Sequence, residues 1–311
     1  MKKYPLVSIV IPTHNRKKSV VRLIHSILQS TYKELEIIVV DDFSVDGTVE
    51  YIRSKISNKN IKVVRNNKNL FTAGTRNVGQ KLSHGEYILF IDDDNVIDRK
   101  MIEKMVEIFV IDKKIGEVGP INYSYKKKSK VFWAGTYRNM FTTKTYHLNK
   151  IQRKKYWDTP DVPNAFMVRG EVVKRHKIYF DSLYGIMYEE SDYAYRIRQE
   201  GYGVVVCRDA KIYHDIESYT NNGKTKDYMY HFMSDVRRPY VFARNRIIFH
   251  KRFSRKVELV GILMFWVWFF NLYYNYKYLF YNGVGTFTFS QRVKLALSCT
   301  KGTIAGCFKY Q

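Results

Sequence analysis

Apolar and polar residues form alternating blocks along the first hundred residues, and the blocks differ in periodicity. Residues 6 to 11 are almost continuously apolar and β-branched, and residues 36 to 40 and 87 to 91 repeat this pattern. Such short runs are typical of buried parallel strands. Between them, apolar side chains recur at helical spacing, as at Val20 and Ile24. The order strand, helix, strand, helix predicts an α/β fold, in which helices cover a mostly parallel sheet.

Acidic residues follow two of the predicted strands directly. Asp41 and Asp42 end one strand, and Asp92, Asp93 and Asp94 end another. Loops at the carboxyl ends of parallel strands line the ligand site in such sheets. Three adjacent carboxylates repel one another, which favours a bound Mg²⁺ or Mn²⁺, whereas the paired aspartates suit a nucleobase or ribose. The alternative for both clusters is a solvated turn that caps the next helix.

The segment from Gly74 to Gly79 is predicted to open the helix before the aspartate strand. Backbone N–H groups at a helix start, together with Arg76, suggest a diphosphate cradle. The sequence contains neither a Walker A motif nor GxGxxG, so ATP hydrolases and dinucleotide-binding enzymes are excluded.

A second acidic group lies in the other half of the chain. Glu189, Glu190 and Asp192 stand at the start of a predicted helix, where carboxylates favour the helix dipole. One of them is also a candidate general base, since a like charge nearby raises a carboxyl pKa. His214 ends a strand-like run and is either a structural residue or a metal ligand.

The amino-acid composition limits the classes of molecule that the protein is expected to bind. Lys and Arg number 53 against 29 acids, which gives a net charge of +24 and predicts an anionic partner: nucleic acid, an acidic membrane or a phosphorylated small molecule. No RNP, zinc-finger or KH signature is present, which argues against nucleic acid. Three cysteines without CxxC spacing indicate a reducing compartment, and the absence of an apolar N-terminal signal segment predicts no export.

The C-terminal part has the composition of a membrane-associating region. Residues 237 to 256 contain eight Arg or Lys and no acid, and residues 259 to 276 contain no charge. A helix of that uncharged length spans about 27 Å, just short of the roughly 30 Å hydrocarbon core. Three interpretations stay open: an interfacial helix or hairpin, a true span, and a soluble core or dimer helix.

Together these motifs resemble the family 2 inverting glycosyltransferases of GT-A fold. The resemblance covers roughly residues 5 to 215 and rests on five ordered segments: 7 to 16, 39 to 48, 74 to 79, 88 to 95 and 189 to 202. It implies a donor that is a UDP-, GDP- or dTDP-linked sugar and an acceptor hydroxyl on a glycan or a lipid-linked molecule. A catalytically inactive glycan-binding or scaffold protein of the same fold is the alternative.

The resemblance also implies roles for individual residues on the donor side. The residues implied to bind the nucleotide sugar are Pro12, Thr13, Asn15, Asp42, Gly74, Arg76 and Asp93. The implied ligands of Mn²⁺ or Mg²⁺ are Asp92, Asp94 and His214. Phe71 departs from the pattern, because relatives usually have glycine there.

On the acceptor side the implied catalytic base is Glu190, with Glu189 and Asp192 as substitutes. Glutamate replaces the usual aspartate here. The expected organisation is a nucleotide-sugar-binding half at 1–125, an acceptor-side half at 126–235 and a basic, aromatic membrane-associating region at 236–311. The enzyme is expected at the cytoplasmic face of the cell membrane, peripheral or single-span through 257–281, and homo-oligomer formation is left open.

Overall fold

The computed structural model describes residues 4–215, 233, 235–280 and 287–309. They form two compact units. The first contains residues up to 137, then 146–185 and 189–215, and the second contains 138–145, 186–188 and the residues after 215. The predicted functional halves at 1–125 and 126–235 stay a prediction, and residue 281 lies outside the described residues.

The first unit is built on a large sheet. The described strands, ten of which form this sheet, are β1 (Val7–Thr13), β2 (Leu35–Asp41), β3 (Ile61–Arg65), β4 (Tyr87–Ile91), β5 (Asn95–Ile97), β6 (Ile115–Ser124), β7 (Val131–Trp133), β8 (Thr136–Arg138), β9 (Thr145–His147), β10 (Tyr156–Asp158), β11 (Ala165–Arg169) and β12 (Gly203–His214). The strand order is β10-β12-β6-β11-β4-β1-β2-β3, with β5 on β12 and β7 on β6, while β8 and β9 pair with each other.

Six helices accompany this sheet in the described part of the first unit. They are α1 (Lys17–Leu28), α2 (Thr48–Lys55), α3 (Phe71–Leu82), α4 (Met101–Ile111), α5 (Gly170–Arg175) and α6 (Glu189–Gln199). Most paired residues lie in parallel pairings, which join β1 to β2 and β4, β2 to β3, and β6 to β12. The predicted α/β fold with a mostly parallel sheet is therefore confirmed.

Side-chain alternation along β1 divides the core between the two faces of the sheet. Ile9 and Ile11 belong to the layer that packs against α1 and α4, and Val10 belongs to the opposite layer. The period of two places successive side chains on opposite faces of a strand. Both faces are buried, which explains why the strand is apolar along nearly its whole length.

The second unit is helical in its described residues. It contains α7 (Arg237–Phe253), α8 (Lys256–Gly261), a π-helical turn (Ile262–Trp266), α9 (Val267–Phe280) and α10 (Phe289–Phe308). Among the described helices, the continuous segment from Lys256 to Phe280 is long and apolar enough to cross a membrane. Only 22% of its most apolar stretch is buried.

Close packing of α3 on β1 requires a residue without a side chain at position 79. A Cβ atom on Gly79 would lie 2.2 Å from Cγ1 of Val10, which itself is fully buried. Neither the helix nor the strand can move without disturbing the sheet that carries the aspartates.

We expect Gly79→Ala to lower the free energy of unfolding by about 1–3 kcal/mol, the usual cost of overpacking a core. Lys81→Ala, on an exposed position of the same helix, should change it by less than about 0.5 kcal/mol. Denaturant titration followed by circular dichroism measures both. Equal stability of the two variants would contradict this account of the packing.

Candidate active site

The ends of β1 and β4 meet at one edge of the sheet. Parallel pairing aligns Val10 with Phe90, so the residues beyond the two strands come level. Thr13 Oγ1 donates a hydrogen bond of 2.7 Å to Asp93 Oδ2 across this gap. The predicted convergence of strand-end residues on one edge is therefore present in the geometry.

Two arginines lie beside the three consecutive aspartates. Asp92 accepts a hydrogen bond of 2.7 Å from Arg76 Nη2. Asp93 is paired with Thr13 and Arg16, and Arg16 Nη1 also lies 3.2 Å from Asp94 Oδ2. Burial raises the pKa of Asp93 to about 6, although Arg16 favours its charged form. Arg76 beside Asp92, and Arg16 beside both Asp93 and Asp94, thus offset the repulsion among the three carboxylates.

His214 reaches the aspartates through strand pairing. Antiparallel pairing of β12 with β5 sets His214 opposite Asn95, and its Nε2 lies 3.4 Å from Asp94 Oδ1. Burial lowers the pKa of His214, but the hydrogen bond and charge of Asp94 outweigh it and leave that pKa raised. The strand-end histidine and the aspartate predicted to share a cation with it therefore face each other.

The fit of this donor set to a divalent cation is partial. Within the described residues, no group of three or more His, Cys, Asp or Glu side chains is arranged as a complete metal site. Asp94 and His214 supply an oxygen and a nitrogen 3.4 Å apart, whereas adjacent octahedral ligands about 2.1 Å from an ion lie about 3 Å apart. Asp92, the third predicted ligand, is turned toward Arg76. Two protein ligands suit Mg²⁺ or Mn²⁺, which keep water and substrate phosphate in other positions.

Arg76 is enclosed by acids and is not exposed to a ligand. Its side chain is 1% exposed and lies 2.7 Å from Asp92, 2.7 Å from Glu190 and 3.5 Å from Glu189. The rings of Phe166 and Phe180 lie under the guanidinium, 5.8 and 5.4 Å away. Burial lowers the pKa of Arg76, but the three carboxylates together raise it above its usual value. The guanidinium is therefore held in an ion-pair network, and the diphosphate contact predicted for it stays a prediction.

Of the three acids in the first turn of α6, Glu190 is the most accessible. Its side chain is 20% exposed, against 7% for Glu189 and 0% for Asp192. Asp192 is turned to Arg196 within the same helix, 2.7 Å away. Burial raises the pKa of both Glu189 and Glu190, and the charge of Arg76 offsets part of the rise. Glu190 is thus the acid in this turn best able to take a proton from a ligand.

Asn164 connects the two halves of the site, and sequence reasoning missed it. Its N–H donates to Glu190 Oε1 at 3.1 Å, and its carbonyl accepts from Asp92 N at 3.0 Å. Its side-chain nitrogen lies 3.2 Å from His214 Nδ1. Asn164 has φ of +67°, a backbone conformation that asparagine tolerates better than most residues. An asparagine between a proline and an apolar strand was the only signal available.

The start of α3 differs from the prediction. The helix begins at Phe71, so Gly74 lies inside its first turn and does not open it. The N–H groups of Leu70, Phe71 and Ala73 are taken by Asp42, Asn69 and Gly185. These three N–H groups are therefore bonded within the protein, and the contact predicted between Gly74 and the donor stays a prediction.

Phe71 itself occupies a strained position. It has φ of +57° and is 49% exposed, and glycine adopts this conformation without steric cost. This geometry is consistent with the glycine that the resemblance leads one to expect there. The exposed ring of Phe71 therefore lies at the N-terminal end of α3.

The remaining predicted residues lie near the carboxyl ends of β1 and β2. Pro12 is half-buried in β1, opposite Val40 of β2. Asn15 has φ of +54°; its N–H donates to Ser44 Oγ and its side-chain oxygen accepts from Val45 N. Asp42 is 4% exposed, and one oxygen accepts from Asn66 and Leu70. Asn15 and Asp42 therefore hold neighbouring loop backbone through hydrogen bonds, and the nucleotide contacts predicted for these three residues stay a prediction.

Comparison with known proteins identifies relatives. An uncharacterised glycosyltransferase of Haemophilus influenzae is 28% identical over 188 residues, 59% of this chain and 58% of that protein. The Escherichia coli UDP-Glc:alpha-D-GlcNAc-diphosphoundecaprenol beta-1,3-glucosyltransferase WfaP is 41% identical over 90 residues, 29% of this chain and 36% of that protein. The chain thus matches only 58% and 36% of these relatives' lengths.

A solved structure shares the fold of the chain. The mannosyltransferase PcManGT from Pyrobaculum calidifontis, in complex with GDP-Man and Mn²⁺, aligns with a TM-score of 0.61 at 14% identity and covers 100% of this chain and 89% of that one. The GT-A fold predicted from the sequence is thereby confirmed. The model of the family described as "Glycosyl transferase family 2" matches residues 8–177, more than half of the chain. The chain therefore belongs to glycosyl transferase family 2.

Proposed function

We propose that this chain is an inverting glycosyltransferase that moves a sugar from a nucleoside diphosphate to a hydroxyl of a glycan or lipid-linked acceptor. The observation that carries the proposal is the link through Asn164, which joins the Asp94–His214 pair to Glu190 at one sheet edge. Family membership supports the reaction class. The names of the relatives, which include UDP-Glc, a diphosphoundecaprenol-linked acceptor and GDP-Man, support the substrate class.

On the donor side, Asp94 and His214 would hold a divalent ion, Mn²⁺ or Mg²⁺. When bound, such an ion supplies positive charge that stabilises a departing diphosphate. Arg16 is 37% exposed beside Asp93 and Asp94, so its guanidinium is an accessible cation for the same phosphates. Asp93, which accepts a hydrogen bond from Thr13, is assigned to contact the ribose or the sugar of the donor. Pro12, Asn15 and Asp42 are assigned to the nucleotide pocket, with Asp42 toward the base.

On the acceptor side, Glu190 is the proposed general base. Its carboxylate takes the proton of the acceptor hydroxyl while that oxygen forms a bond to the anomeric carbon. The bond from the same carbon to the phosphate oxygen breaks, and the nucleoside diphosphate leaves with the electron pair. A single displacement of this kind inverts the anomeric centre. The raised pKa of Glu190 suits a group that must accept a proton near neutral pH.

Arg76 is a positioning residue in this scheme. Its guanidinium donates to Glu190 Oε1 and to Asp92 Oδ1, so it orients the base and the strand-end aspartate together. The Asn164 N–H holds the same oxygen of Glu190 from another direction. Two donors on one carboxylate oxygen restrict the orientation of the base toward an acceptor.

We expect a nucleotide sugar together with Mn²⁺ to raise the thermal stability of the protein. A ligand at 100 times its Kd adds about 2.7 kcal/mol to the folded state. A thermal-shift panel of UDP-, GDP- and dTDP-sugars measures this. Asp94→Asn should weaken the Mn²⁺ dependence about tenfold or more, while Asp98→Asn, four residues further on, should not. Undiminished Mn²⁺ affinity in Asp94→Asn would count against the cation site.

Replacement of the base should separate binding from transfer. Glu190→Gln keeps the shape of the side chain but cannot take a proton, so kcat should fall by on the order of 10² to 10⁴, with donor affinity nearly unchanged. Release of nucleoside diphosphate and donor titration measure the two effects. Glu171→Gln, on the exposed side of α5, is the matched control. If Glu189→Gln abolishes transfer and Glu190→Gln does not, the base is Glu189.

The rate should also depend on pH through the same residue. Because burial raises the pKa of Glu190, the carboxyl is protonated and inactive as a base below that raised value. We expect kcat to rise with pH along a limb well above the ordinary glutamate pKa of about 4.3. The residual activity of Glu190→Gln should lack this limb. A wild-type rate that does not vary between pH 5 and pH 9 would exclude Glu190 as the base.

A further inference from the structure

The segment from Lys256 to Phe280 exposes a continuous apolar stripe. We define the stripe by its six most exposed large side chains, which are between 60% and 81% exposed. They are Val257, Met264, Phe265, Leu272, Tyr276 and Phe280. Contiguous exposed apolar surface of this length marks an interaction site in a soluble protein.

The opposite side of the segment is packed against the second unit. At about 100° per residue, the exposed residues of α9 between Trp268 and Phe280 fall within roughly 140° of its circumference, and Val267, Phe270 and Tyr278 are buried on the other side. Asn271 and Asn275 on that side donate to Thr303 and Thr300 of α10, at 3.1 and 2.9 Å. One face of the helix is therefore fixed within the protein and the other has no described partner segment.

The charges around the stripe favour an anionic occupant. Residues 235–280 and 287–309 contain thirteen Lys and Arg against two acids, Asp235 and Glu258. Arg252, Arg255 and Lys256 are exposed where the segment begins. Two copies of so basic a unit would repel each other, which argues against a second copy of the chain as the occupant.

We propose that this stripe binds the surface of an anionic lipid bilayer, with the segment lying in the plane of the membrane. Apolar side chains then enter the boundary between headgroups and acyl chains, and the surrounding cations contact lipid phosphates. Trp268, Tyr273 and Tyr276 are residues of the type enriched at this interface.

The neighbouring helix α10 argues against a transmembrane orientation. A 25-residue helix is about 37 Å long, so in a span Asn271 would lie inside the hydrocarbon core. Lys301, which is exposed on α10 beside Thr300 and Thr303, would then face lipid at the same depth. A charge in that position is costly, whereas a segment in the plane of the surface leaves α10, which packs on its other side, outside the hydrocarbon core. Among the three orientations open from the sequence, the interfacial one is therefore favoured.

The proposal is tested by sedimentation of the full chain with vesicles. Binding to phosphatidylcholine vesicles with 30% phosphatidylglycerol should exceed binding to phosphatidylcholine alone by about tenfold. The double variant Met264→Gln, Leu272→Gln should lose at least tenfold in partitioning. Val110→Gln, which alters an equally exposed apolar residue of α4, should bind as the wild type does. Circular dichroism shows whether each variant is folded.

Two further readouts decide between orientations and occupants. Alkaline carbonate should release the protein from membranes if the segment lies in the plane, and retention would overturn the proposal. Equal binding of the stripe variant and the wild type to anionic vesicles would also overturn it. So would a dimer that the stripe variant abolishes while vesicle binding is absent. None of these measurements uses a sugar donor, so they do not depend on the proposed transfer reaction.

Discussion

The site depends on the ion pairs that the buried guanidinium of Arg76 forms with three carboxylates. It comes from α3, and its partners come from the end of β4 and the start of α6. Removing one member of a buried ion-pair network leaves an uncompensated charge, at a cost of about 3–5 kcal/mol. The network thus couples the stability of the domain to the position of Asp92 and Glu190. The same carboxylates keep Arg76 charged, and Arg76 limits the rise in their pKa values.

The parallel part of the sheet could be predicted because its residues carry local signals. The strand at Tyr87–Ile91 has the predicted bounds, since a fully buried strand needs an apolar run and the aspartates end it abruptly. The pairing of His214 with Asp94 followed from the fold, because both lie at strand ends on one edge. No local signal brings these two residues together, and only the family resemblance implied that they share a metal ion.

Three features could not be predicted because they depend on contacts distant in sequence. Arg76 gave no sign that it would be buried, since its three carboxylate partners lie 16, 113 and 114 residues away. The start of α3 depends on an acceptor from Gly185 and on the left-handed backbone of Phe71, neither of which a pattern of apolar residues reports. Arg16 and Asn164 likewise gain their roles only when β1, β4 and β11 come together.

Asn164 makes three contacts within the site, and two of them come from its main chain and do not depend on its side chain. Its N–H and carbonyl serve Glu190 and Asp92, whereas only the side-chain amide contacts His214. Glycine, which accepts the same backbone conformation, would preserve both main-chain links and lose only the contact with the imidazole. A substitution at position 164 therefore changes the surroundings of the His214 imidazole without altering the main-chain hydrogen bond that orients Glu190.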